Sequence, residues 1–287
     1  MLPRLLPPLA VILPMLLLAA CTPKSQLPGV EEGAAAPGNQ AYFAESGHVP
    51  PFARSPYDPF RRSNAVGIAM REWQAFGRLV DDDPPHTRAP LTGIDNPARQ
   101  PGLWERIGEY WWIGQNSSRR EAAWTGMHDE TGAEYDEGRE DYYAWSAAFI
   151  SYVMRSAGAT WRFPYAPSHY IYINTAVDMT LGRTTGWAIY GEAPQNYAPQ
   201  PGDLICLSRL ARPLTYAQLP SRHFPGHCDI VVAQAPGQIS VVGGNVDDAV
   251  TMKHIPVTQD GKLATPDGEI VDGRYPWMVV IRVMYDQ

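Results

Sequence analysis

Trp145-Ser146-Ala147-Ala148-Phe149-Ile150-Ser151-Tyr152-Val153 lies between an acidic, apolar-poor stretch (129–141) and a glycine at position 158. Ser146, Phe149, Ile150 and Val153 recur at helical spacing, so the segment predicts a helix over 144–157 with those four residues on one buried face. Gly158 is its natural stop, because glycine accepts the left-handed conformation that closes a helix. The serine then points inward from the first turn.

Outward from this helix the chain changes character. Upstream, Val66, Met70, Trp73, Phe76 and Val80 predict a helix over 63–80, ended by Asp81-Asp82-Asp83-Pro84. Leu103, Ile107, Tyr110 and Trp111 predict another over 103–113, and 129–141 reads as a solvated loop. Downstream, a short helix is expected from Ser168, as its cap, through Ile171 and Ala176. After Gly186 the pattern turns to strands at 202–207, 228–235, 238–242, 250–257 and 277–283, with Pro236-Gly237 as a turn. N-terminal helices followed by an antiparallel sheet make an α+β domain over 56–287.

A serine at a helix N-terminus sits beside free backbone N–H groups that favour negative charge and can hold an oxyanion. Serine needs a base to take its proton, and a third polar group to fix that base. The chain offers Ser146, then His227 in Gly226-His227-Cys228-Asp229-Ile230-Val231, then Asn245 in Gly243-Gly244-Asn245. Asp229, two residues along the strand, shares a face with His227 and is the alternative orienting group. Cys228 faces the other way. His169 follows the expected cap and is a candidate for lining a substrate groove. The rival is a zinc site from His223, His227, Cys228 and Cys206, but Pro225 and Gly226 break the helical spacing that would join the two imidazoles. No phosphate-cradling glycine loop occurs, and neither a metal nor a cofactor is expected.

Trp145-Ser146-Ala147-Ala148-Phe149 resembles the Trp-Cys-Ala-Ala-Phe motif of the CHAP group, cysteine- and histidine-dependent amidohydrolases and peptidases related to NlpC-type cell-wall peptidases. Gly226-His227 with Ile230-Val231 resembles the strand carrying their histidine, and Gly243-Gly244-Asn245 the segment ending in their orienting asparagine. The resemblance covers 140–260. The chain is also similar to an uncharacterised bacterial family of unknown function that carries serine at this position. The resemblance implies a papain-like fold and hydrolysis of an amide bond in peptidoglycan or its peptides, by Ser146 with His227 and Asn245 or Asp229. It departs from the CHAP pattern in Ser146 for cysteine, and in Gly243 where some members carry glutamate. An inactive fold that binds peptidoglycan or a partner hydrolase, and an esterase or acyltransferase, are the other readings.

The start of the chain carries its own signal. Arg4 precedes an apolar run, 5–20, that Pro7, Pro8 and Pro14 interrupt and that is short for a membrane span. Leu18-Ala19-Ala20-Cys21 resembles a bacterial lipoprotein box, which makes 1–20 a signal peptide and Cys21 the lipidated residue; the plainer alternative is an ordinary signal with a chance cysteine. Residues 21–55, rich in proline, glycine and alanine, read as a flexible tether. Thr22, rather than aspartate, favours the outer membrane by the same analogy, with the body facing the periplasm. That compartment permits a disulfide between Cys206 and Cys228; two buried thiols are the alternative. A formal net charge of −7 argues against a nucleic-acid partner. If Cys21 holds the anchor, Cys21→Ser moves the protein from the membrane pellet to the soluble fraction on ultracentrifugation; continued sedimentation with membranes contradicts the assignment.

Overall fold

In the computed structural model, residues 59–286 are described, apart from positions 86, 90, 117 and 140. The segments expected to be a signal peptide (1–20) and a tether (21–55), with Cys21, fall outside the described residues. The chain from Pro56 to Gln287 forms one compact unit. Its strands run β1 (Ile189–Glu192), β2 (Leu204–Ser208), β3 (Gly226–Ala235), β4 (Gln238–Val246), β5 (Ala249–Pro256) and β6 (Trp277–Val283). They form a single antiparallel sheet in the order β1-β6-β2-β3-β4-β5. Four α-helices precede or border it among the described residues: α1 (Arg62–Ala75), α2 (Leu103–Gly114), α3 (Ser146–Ser156) and α4 (His169–Thr180). The α+β expectation therefore holds at this level.

Strand alternation sorts the side chains into two cores. Leu204, Cys206, Cys228, Ile230 and Val242 pack with the helices in the larger one. Ile205, Leu207, Val231, Val241 and Ile255 point the other way into a second cluster closed by Tyr275 and Trp277. This period-two division is why both faces of the central strands are apolar.

The three N-terminal helices meet at one buried carboxylate. Tyr110 on α2 and Tyr152 on α3 donate hydroxyl hydrogen bonds to Glu72 on α1, at 2.7 and 3.0 Å. Arg71 and Arg106 supply the countercharge at 2.7 and 3.3 Å. A buried charge with this many partners is tolerated, whereas an unpaired one would not be. Tyr110 also packs against Trp145, Phe149 and Tyr152, so the same contacts place the start of α3.

Three local expectations change. Helix α1 ends at Ala75, not at 80, because Gly77 and Arg78 turn left-handed (φ 87° and 61°). Val80 then forms an isolated bridge with Met252. Ser168 occupies the cap position of α4 without a side-chain capping bond. Strand β1 gave no sequence signal, being only Ile-Tyr-Gly-Glu; its Gly191 lies where a Cβ would meet Val177 of α4 at 2.7 Å. The 129–141 loop is largely exposed, yet Tyr135 within it is buried and stacks on Tyr143 at 4.0 Å between ring centroids.

Cys206 and Cys228 face each other directly across β2 and β3, with Cα atoms 4.1 Å apart, and are joined as a disulfide. The bridge closes a loop of separation 22 that includes the irregular 209–225 segment. By loop-closure entropy a bridge of this span contributes about 3 kcal/mol. The paired Cys206→Ala, Cys228→Ala variant is expected to lose about 2–4 kcal/mol in urea unfolding, and reductant is expected to shift the parent protein towards it; an unchanged midpoint in both would contradict the bridge.

Candidate active site

Helix α3 begins at Ser146 with Trp145 at its cap position, and no side chain caps it. The first-turn N–H groups of such a helix have no partner within the helix. Ser146 is nearly buried, at 6% exposure. Its Oγ lies 2.6 Å from Nε2 of His169, the first residue of α4. On the far side of that ring, Nδ1 is hydrogen-bonded to the Tyr172 hydroxyl, one helical turn along. The ring of His227 stands 5.3 Å from that of His169, centroid to centroid.

His227 is the second residue of β3, and its Nε2 is 2.9 Å from Asp229 Oδ1. The other carboxylate oxygen of Asp229 is 2.7 Å from the Lys253 ammonium, reaching in from β5. Asp229 has no solvent exposure and Lys253 almost none. Burial alone would raise the Asp229 pKa, but Lys253 and His227 outweigh it and hold the carboxyl well below its usual range. The acid is therefore ionised, and the His227 nitrogen facing it carries the hydrogen. That leaves Nδ1 of His227 as its unprotonated nitrogen.

The hydrogen-bond pattern also assigns the other ring. Burial, and then the Asp229 charge, push the Tyr172 hydroxyl well above its ordinary pKa, so it keeps its proton. A buried O–H needs an acceptor, and His169 Nδ1 is the one beside it. Burial, and next the neighbouring His227, depress His169 well below the ordinary imidazole value, so it is neutral. A neutral ring accepting at Nδ1 carries its hydrogen on Nε2, which donates to Ser146 Oγ. The serine hydroxyl proton is then free to point away from His169.

Two glycines make this arrangement possible. A Cβ on Gly243 would lie 1.9 Å from Asp229 Oδ1 and 3.0 Å from His227 Nε2. A Cβ on Gly244 would lie 2.6 Å from the Phe149 side chain and 2.8 Å from Trp145. The first glycine leaves room for the acid; the second lets β4 press against the first turn of α3.

The structure thus gathers Ser146, His169, His227 and Asp229, and it corrects two pairings. The ring bonded to Ser146 is that of His169, not His227, because α4 starts directly beside the first turn of α3. Asn245 is not hydrogen-bonded to either imidazole; it takes a left-handed φ of 57° inside β4, where the pairing with β5 shifts register between Gly243 and Val246. That is the place of a β-bulge residue, ahead of the Asp247-Asp248 turn with φ of 49° and 56°, and the side chain hydrogen-bonded to His227 is that of Asp229. Cys206 and Cys228 are consumed by the disulfide and supply no thiolate to a metal. His223 packs its ring against Tyr170 at 4.8 Å. Sequence reading passed over Tyr172 and Lys253. The i, i+3 pair of His169 and Tyr172 was one available signal; a lysine at an inward position of a strand was the other.

The chain belongs to the family described as an uncharacterized protein conserved in bacteria (DUF2272), whose sequence pattern matches residues 98–283. That span contains every residue of the site. Neither the curated proteins nor the solved structures contain a match to the chain.

Burial is the first cause that lowers the His227 pKa too, with Asp229 pulling it partly back up. Both histidines therefore bind protons more weakly folded than unfolded. Their contribution to stability is complete above the unfolded value near ~6.5 and is lost as pH falls through their folded values. The depressed Asp229 adds a further loss below the ordinary carboxylate range. The urea midpoint should therefore drop between pH 7 and pH 5, and the His169→Gln, His227→Gln variant should show a shallower drop. A flat parent profile over that range would contradict the buried neutral pair.

Proposed function

We propose that this protein is a serine-dependent amide hydrolase of papain-like architecture, acting on the peptide part of peptidoglycan from a lipid anchor on the periplasmic face of the outer membrane. The observation that carries the chemistry is Ser146 at an uncapped helix N-terminus, bonded to one imidazole whose ring stands beside a second that is hydrogen-bonded to a buried carboxylate. The substrate class is supported by the resemblance of the Trp145–Phe149 and Gly226–Val231 segments to cell-wall peptidases, and by the export signal.

In this reading Ser146 Oγ attacks the carbonyl carbon while its proton passes to Nδ1 of His227 through one water. Asp229 stabilises the resulting imidazolium and holds the ring. The carbonyl oxygen gathers negative charge against the first-turn N–H groups of α3. His169 donates to Oγ and steadies it as its own proton leaves. His227 then returns the proton to the departing amine, and water attack on the acyl-serine completes the cycle.

A second reading is favoured by one observation. Ser146, His169 and His227 are all below a tenth exposed, as in a fold that has closed over its former site and now only binds peptidoglycan or a partner hydrolase. Release of peptides from purified sacculi separates the two. Hydrolysis by the parent protein, abolished in Ser146→Ala and lowered about 10²–10⁴-fold in His227→Ala, is the expected result. Ser146→Cys, in a form lacking Cys21, is then expected to react rapidly with iodoacetamide, Cys206 and Cys228 being already paired. No turnover, together with labelling no faster than a free thiol, would select the binding fold.

A further inference from the structure

At the opposite end of α3 from Ser146 lies a groove of about 620 Å³, within the size range of small-molecule sites. Arg155, in the last turn of α3, spans about 14 Å of helix from Ser146 at 1.5 Å per residue. The groove shares no lining residue with the candidate active site, although Ile171 of α4 lines it two residues on from His169. Its walls carry Trp161, Tyr165 and Trp187, with Phe163 and Ile171 between them.

Three observations set it apart from an ordinary surface hollow. Trp161 is 61% exposed, although an indole normally gains by burial. The residue before it, Thr160, holds φ at 52°. A β-branched residue in that conformation is a genuine backbone outlier, and such strain gathers at sites that use it. Here it turns the chain so that the Trp161 side chain stands out beside the groove. Third, the Arg155 guanidinium lies 3.9 Å from the Tyr165 ring centroid, and no carboxylate pairs with it among the described residues. One of its N–H groups goes to the Gln115 carbonyl at 3.3 Å and the side chain also hydrogen-bonds Tyr165, which leaves the remaining donors of the five-donor fork for a ligand. Tyr165 is itself fixed, donating to the Thr160 carbonyl at 2.5 Å.

We propose that this groove binds a carbohydrate chain bearing N-acetyl groups. A pyranose presents a flat face of C–H bonds that suits an exposed indole, and a rim of hydroxyls that suits a planar donor. The acetamido group adds a carbonyl acceptor for Arg155 and a methyl group for the apolar floor of Phe163 and Ile171. No carboxylate lines the groove, so neutral or acidic sugars are accommodated and cationic ones are not favoured. The groove would hold a glycan strand while chemistry or recognition occurs elsewhere on the domain. The inference stands on its own whether or not Ser146 is catalytic.

The test is titration of the intact protein by tryptophan fluorescence and calorimetry. The probes are the β-1,4-linked tetramer of N-acetylglucosamine, cellotetraose as the analogue without acetamido groups, and peptide-free glycan strands released from sacculi. Saturable binding of the acetylated tetramer is expected, at least tenfold tighter than cellotetraose. Trp161→Ala, a change at an exposed position, is expected to weaken it at least tenfold, and Trp112→Ala, at another exposed tryptophan outside the groove, to leave it unchanged. Tighter binding of the glycan strands than of the tetramer would name the cell wall as the source; the reverse would name a chitin-like polymer. No saturable binding of any acetylated probe, or equal affinity in Trp161→Ala, would overturn the proposal. Neither result depends on whether the protein hydrolyses sacculi.

Discussion

Asp229 carries a negative charge to a point without solvent, and the candidate site is arranged around that charge. Left alone, a buried carboxylate would cost several kcal/mol, or would take up a proton and lose its charge. Lys253 at 2.7 Å prevents this, and its own ammonium is equally hidden from water. Neither partner is tolerable without the other, and together they fix a charge beside His227. The imidazole that faces the pair has one ring nitrogen committed to the acid, which determines the chemistry its other nitrogen can perform.

The same charge explains the glycine at 243: the space a side chain would need there is filled by the Asp229 carboxylate. The acid hydrogen-bonded to the histidine thus comes from the histidine's own strand, two residues on, rather than from the neighbouring one. Gly244 follows for a separate reason, the close approach of β4 to Phe149 and Trp145. The Gly-Gly pair consequently links the acid on one side of β4 to the first turn of α3 on the other.

The placement of α3 depends in turn on contacts far from the site. Glu72 draws hydroxyls from α2 and α3 onto α1, and Tyr110 wedges between Trp145 and Phe149. The disulfide between β2 and β3 holds the strand that carries His227 and Asp229. With the helix end and the strand each secured independently, His169 bonds to Ser146 and the His227 ring stands beside that of His169 without either being held by a substrate.

Much of this was legible in the order of residues. Helical spacing in Trp145–Val153 and alternation in the strands after Gly186 fixed the α+β class, because both periodicities follow from local backbone geometry. The i, i+2 relation placed Asp229 beside His227 and turned Cys228 away, for the same reason. What local geometry cannot supply is which elements meet. His169 bonds to Ser146 because α4 starts against the first turn of α3, and residues 23 positions apart reveal nothing of that contact. Lys253 reaches Asp229 across β4, and the need for glycine at 243 arises from an atom on another strand. The Cys206–Cys228 bridge likewise required the antiparallel register of β2 and β3, which sets two side chains opposite each other only once the sheet has formed. Periodicity is a property of the chain; proximity across the sheet is a property of the packed fold.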